Sequence, residues 1–113
     1  MAVVRVTDVQ GYEVVLEDER WEHIVEGHPE MAKHRDLLLE TMRCPELILC
    51  DPKQKQVHYY YRLTGRSIFR RDDIYISAVI VRSDGNKVAR VITAHLVKTT
   101  RKDGVLVWLA RKN

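Results

Sequence analysis

The spacing of apolar positions along this chain changes twice. From Asp18 to Gly27 the apolar residues Trp21, Ile24 and Val25 fall at i, i+3 and i+4, which predicts a short amphipathic helix anchored by Trp21. Glu17, Asp18 and Glu19 put negative charge at its positive end, and Gly27 marks its stop. His28-Pro29 follows, and Pro29 suits the first turn of a second helix, where its missing N–H has no partner to lose. That helix includes Asp36 to Arg43, with Leu37, Leu38 and Met42 facing inward. Pro45 ends it and takes Cys44 out of helical geometry.

Elsewhere the period is two. Ile74–Arg82 and Lys87–Leu96 are β-branched runs on either side of Ser83-Asp84-Gly85-Asn86, the mark of an antiparallel hairpin. The first run is nearly continuous in apolar residues and predicts a strand covered on both faces. The second alternates, with Ala89, Val91, Thr93 and His95 on one face and Val88, Arg90, Ile92, Ala94 and Leu96 on the other. Val57–Arg62 predicts another strand, with His58, Tyr60 and Arg62 opposite Val57, Tyr59 and Tyr61. Leu47–Cys50 and Ser67–Phe69 suit short strands, Arg70–Asp73 a charged loop, and Val105–Leu109 a last strand before a frayed basic tail. Val3–Thr7 and Tyr12–Leu16, around Gly11, predict a small hairpin or an edge strand with a lead-in. Strands grouped after helices argue for an α+β fold: N-terminal helices followed by a four- to five-stranded antiparallel β-sheet, in one domain over residues 1–113.

Size agrees with that reading, since 113 residues suit one core. No run reaches the ~18 apolar residues that read as a membrane span, and Met1–Asp8 lacks the pattern of a secretion signal, so the expected location is cytoplasmic with no membrane partner. Cys44 and Cys50 lack zinc-site spacing and are expected to be reduced and partly buried. Charge is unevenly divided. Residues 1–46 hold 5 Lys/Arg and 11 Asp/Glu, a balance of −6, and residues 47–113 hold 14 and 5, a balance of +9. A basic sheet half of this kind attracts polyanions; ordinary solvated surface is the plainer reading.

Several chemistries lack their residues. The chain has no phosphate-binding glycine loop, no His-Glu-x-x-His and no Gly-x-Ser-x-Gly. Asp72 and Asp73 are adjacent and would diverge in a strand, which argues against a two-metal nuclease site. No cofactor and no metal is expected. The remaining His, Arg, Tyr, Thr and Lys suit phosphodiester cleavage in RNA, whose 2′-OH is a built-in nucleophile. His moves protons near neutral pH, Arg and Lys hold the phosphate, and Tyr stacks on a base. Thr93 and His95 share a strand face, as do Tyr60 and Arg62; Lys98 follows closely, and His28 at a helix junction can overhang a sheet edge. Each has a structural alternative. His95 could satisfy a backbone group, Thr93 is a good strand former, Arg62 could be a strand-end charge and Tyr60 a core residue. His28 could cap a helix. His23 and His34 read as exposed helix positions.

Three segments, Glu19–Ile24 running into His28-Pro-Glu-Met31, Tyr59-Tyr-Tyr-Arg62, and Val91-Ile-Thr-Ala-His-Leu96, resemble in order and spacing the phage-associated branch of the barnase–EndoU–colicin E5/D–RelE-like nucleases. The resemblance covers roughly Asp18 to Trp108. It implies helices followed by an antiparallel sheet and metal-independent RNA cleavage, often by toxins or effectors. It points to His28, Arg62, Thr93 and His95 as catalytic positions, while acid and base roles vary too widely within the group to carry over. The expectation is an endoribonuclease, a toxin or phage-related effector, with His95 or His28 as base or acid. Arg62 and Lys98 would hold the phosphate, and Tyr60, Lys98 and Arg90 would bind substrate. The expected partners are RNA and, for a toxin, an acidic protein antitoxin or inhibitor, with the chain a monomer or small homo-oligomer. The alternatives are a non-catalytic RNA- or protein-binding module of the same fold, or a small structural protein of a phage or mobile element.

Overall fold

A computed structural model of the chain describes residues 3–66 and 73–110, with only the backbone described at 65, 66 and 73. The short strand expected at Ser67–Phe69, most of the charged loop before the hairpin and the end of the basic tail lie outside the described residues.

The helical half follows the sequence closely. Helix α1 spans Asp18–Gly27, and α2 spans Arg35–Arg43. Between them Pro29–Lys33 forms a separate 3-10 turn, so Pro29 opens this turn and not the second helix as expected. Met31, Leu38 and Met42 from this layer are fully buried. Truncating any one to Ala would cost about 2–5 kcal/mol.

The sheet corrects the expected fold. Among the described residues it is a seven-stranded mixed sheet in place of four or five antiparallel strands. The strands are β1 (Val3–Thr7), β2 (Glu13–Glu17), β3 (Leu47–Cys50), β4 (Val57–Arg66), β5 (Asp73–Ser83), β6 (Val88–Val97) and β7 (Val105–Leu109). Their spatial order is β1-β2-β6-β5-β4-β3-β7. The β-rich lead is part of this sheet: β1 and β2 form an antiparallel hairpin, and β2 then runs parallel to β6, Glu13 beside Val88 and Val15 beside Arg90. Val14 and Leu16 are nearly inaccessible as a result, since burying them needs a neighbour that the hairpin alone does not supply.

Turn chemistry brings that hairpin into place. Asp8 Oδ1 accepts the backbone N–H groups of Gln10 (2.9 Å) and Tyr12 (2.8 Å), and Gly11 adopts φ +87°, which L side chains avoid. The Tyr12 hydroxyl donates to Asp84 Oδ1 at 2.7 Å, and the Glu13 N–H donates to the Lys87 carbonyl at 2.9 Å. The β1–β2 turn is thereby fastened to the β5–β6 turn, which sets the parallel register.

The helices cover one face of the sheet only. Ile76, Ala78 and Ile80 of β5 are fully buried beneath them. On the opposite face Val79 is half-buried and Val81 exposed, so β5 is not covered on both faces as its apolar run suggested. That second face holds a smaller cluster of Leu49, Tyr59 and Tyr61. Cys50 is half-buried, while Cys44 is exposed rather than partly buried, and both are free thiols. No described helix is long and apolar enough to cross a membrane.

Candidate functional site

The alternation expected along β6 holds only as far as Val91. Ile80 pairs with Val91 but Val79 pairs with Thr93, so Ile92 is the extra residue of a β-bulge. A bulge moves every later side chain to the opposite face. Ala89 and Val91 are therefore buried on the helix side, and beyond the bulge Ala94 takes that role. Thr93 and His95 share a face, as expected, but it is the open face and not that of Ala89 and Val91. In register His95 lies beside Ser77, which lies beside Tyr61.

β2 pairs with β6 only as far as Arg90. Past that point the edge of β6 is flanked by α1 and the 3-10 turn. His28, at their junction, reaches that edge. Its ring stacks on His95 with centroids 4.9 Å apart and planes 19° from parallel. His28 Nδ1 lies 3.8 Å from Glu30 Oε2. His95 Nδ1 is buried without a hydrogen-bond partner. Burial, and then the neighbouring His28 charge, push the His95 pKa below the usual imidazole value, with Glu30 acting weakly in the opposite sense. His95 is thereby biased toward its neutral form.

His95 opens into a groove of about 250 Å³ on the second face, lined by Tyr59, Tyr61, Ser77, Val79, Val97, Thr99, Thr100 and Arg101. One wall is the β6–β7 loop, and two contacts of Arg101 tie it to β4. The Arg101 N–H donates to the Tyr61 hydroxyl at 3.1 Å. The Arg101 guanidinium lies 4.4 Å over the Tyr59 ring and forms a two-point pair with Asp103 at 3.0 and 3.1 Å. The Tyr59 hydroxyl donates to Asp51 Oδ2 at 2.6 Å. That bond, with the N–H groups of Gln54 and Lys53, lowers the Asp51 pKa to about 2. Burial, together with the bond to Asp51, raises Tyr59 to about 12.

The other anticipated residues are elsewhere. Arg62 lies on the helix face, where its guanidinium donates to the Cys44 carbonyl at the end of α2. Tyr60 is fully buried; its hydroxyl donates to Asp8 and accepts from Arg82 Nη2 at 2.6 Å. Asp8, Arg82 and His58, all buried, make this end of the sheet a closed polar cluster, with Arg82 also 4.3 Å over the Tyr12 ring. Arg90 is exposed and faces a separate hollow of about 260 Å³ with Arg20, His23, Glu17 and Glu19. Lys98 is exposed just past β6, beside the groove loop. Among the described residues no three His, Cys, Asp or Glu side chains stand close enough to hold a metal ion. The structure thus brings His28 against His95, sets Thr93 on the same face of β6 but outside the groove's lining, and leaves Arg62, Tyr60 and Arg90 apart from them. Sequence reasoning missed Tyr61, Ser77 and Arg101. Tyr61 alternates with Tyr60, so the face opposite the one chosen was the signal available; Arg101 had none beyond its place in a basic loop.

Comparison of the chain with protein-family models, with curated proteins and with solved structures returns no match.

Proposed function

We propose that this protein is an endoribonuclease that cleaves RNA without a metal ion, using the groove beside His95. The observation that carries the reading is the His28–His95 pair, an imidazole biased toward its neutral form, with a buried, unpartnered nitrogen, lying against a second, more exposed one. His95 takes the proton of the 2′-OH as its oxygen attacks phosphorus. As the P–O5′ bond breaks, His28 in its protonated form gives a proton to the leaving oxygen. The products are a 2′,3′-cyclic phosphate and a 5′-hydroxyl end. General acid and base groups of this kind each contribute about 10²–10⁴-fold. Because Arg62 is engaged at Cys44, phosphate binding falls to Lys98 and Arg101, with the Thr99 and Thr100 hydroxyls beside them. Tyr61 takes the base-packing role first expected of Tyr60.

A second reading, a non-catalytic module that binds RNA or protein in the same groove, is favoured by one observation: Asp103 offsets the charge of Arg101, which weakens the groove's hold on phosphate. A cytoplasmic toxin with an antitoxin partner is a narrower form of the first reading, resting on the sequence resemblance.

The test is incubation of the purified chain with total RNA in excess chelator, beside His95→Ala and Arg62→Ala. Fragments with cyclic phosphate ends, lost in His95→Ala and retained in Arg62→Ala, are the expected result. Intact RNA with retained, salt-dependent binding in all three moves the assignment to the binding module.

A further inference from the structure

We propose that the hollow between β2, β6 and the start of α1 binds a zwitterionic α-amino acid with an aliphatic side chain. Two irregularities of the backbone open this hollow. The parallel pairing of β2 with β6 stops at Arg90, and β6 bulges two residues later at Ile92. β2 ends at Glu17 and runs directly into α1, whose first turns supply the third side. The space left is about 260 Å³, below the ~300–1,000 Å³ of sites for drug-sized ligands. It has room for one small molecule.

Charge selects the occupant. Arg20 and Arg90 line the hollow with two positive charges, Glu17 and Glu19 with two negative ones, and His23 adds an imidazole. The four charged groups come from three different elements. None of the ion pairs among the described residues includes any of these five side chains. Opposite charges therefore surround one space without meeting. A phosphate placed there would meet both carboxylates, and a diamine both guanidinium groups, and like charges brought together are unfavourable. A molecule that carries an ammonium and a carboxylate on one carbon gives each sign its partner through charge-assisted hydrogen bonds.

The remaining lining sets the side chain of that molecule. Val15, Val91 and Ile92 supply an apolar part. Ile92, at the bulge, is 36% exposed. An aliphatic group resting on it removes apolar surface of both from water.

The inference is independent of the cleavage reading, because the hollow and the groove at His95 share no lining residue. The test follows the backbone amide shifts of the full chain by NMR during titration with L-leucine. Saturable shifts centred on residues 15–23 and 90–92 are expected. N-acetyl-leucine lacks the ammonium and leucine amide lacks the carboxylate, so each binds about tenfold more weakly than leucine. Arg90→Gln and Glu17→Gln each weaken leucine binding by about the same factor. Both side chains are exposed, so the variants keep the parent's circular dichroism. Affinity for N-acetyl-leucine equal to that for leucine, or displacement of leucine by an equal concentration of inorganic phosphate, would reassign the hollow to anions and overturn the proposal. Equal affinity for leucine amide would reassign it to cations, with the same consequence. Absence of saturable shifts with leucine, or leucine binding unchanged in both variants, would reject it.

Discussion

His28 lies ring against ring with His95, centroids 4.9 Å apart, although the two are contributed by a helix junction and a distant strand. A charge on His28 at this separation opposes protonation of His95. This follows from position, whether or not the pair acts on RNA.

The first prediction concerns that coupling. Burial and the His28 charge both hold the His95 pKa down. Replacing His28 with Gln removes the second influence and leaves most of the first. The His95 ring, followed by NMR, is then expected to titrate at higher pH than in the parent while remaining below the usual value. An unchanged His95 titration would show that the two rings do not sense each other.

The same direction of shift bears on stability. His58 is also held low, by burial first and then by Arg82. For an imidazole whose folded pKa is depressed, the unfolded chain binds the proton more readily. Stability is therefore fully present above about pH 6.5 and falls as the pH drops through and below that value. Tm measured from pH 7.5 down to 5.5 should fall, and a His58→Gln variant should show a shallower decline. Equal slopes would remove His58 from the account.

Arginines 62 and 82 should separate sharply. Arg82 is buried beside the Asp8 carboxylate, 3.9 Å from Oδ2. Arg82→Ala leaves a buried charge unpaired and is expected to cost about 3–5 kcal/mol in urea unfolding. Arg62→Ala removes one partly exposed bond to a carbonyl and should cost about 1.5 kcal/mol or less. Similar losses for both would contradict the placement of the polar cluster.

Gly104 is the tight point of the turn that leads from the groove loop into β7. A Cβ there would stand 2.7 Å from Leu49 Cβ and 2.8 Å from Leu49 Cδ1. Gly104→Ala should therefore destabilise the fold by about 1–3 kcal/mol. It should also loosen the loop that holds Arg101 over Tyr59, seen as faster amide exchange at residues 99–103. A neutral substitution would show that the loop can shift without loss.

Local pattern carried most of the elements. The limits of α1 and β7 follow from helical spacing and from a run closed by turn residues, and the hairpin of β5 and β6 follows from its Asp-Gly turn. What was not legible depended on distant partners. The parallel contact of β2 with β6 has no local signature, because it is set by Tyr12 reaching Asp84 and Glu13 reaching Lys87. The Ile92 bulge was equally hidden, since β-branched Ile92 fits a regular strand as well as a bulge, and the face of everything after it depends on that one residue. His28 was chosen for its position at a helix junction, and the structure places it against His95. Arg62 and Tyr60 were placed on one face correctly, but that face proved to be the one under the helices.

The parallel junction of Glu13 with Val88 also governs when the protein can assemble. Contacts between residues 75 positions apart are slow to form, because the intervening chain must be closed first. On the ribosome, β1 and β2 emerge early, and β2 has no further strand beside it until β6 follows. His28 is likewise synthesised long before His95. A nascent chain therefore carries an unpaired hairpin and half a site through most of its synthesis, and both are completed by the same late event.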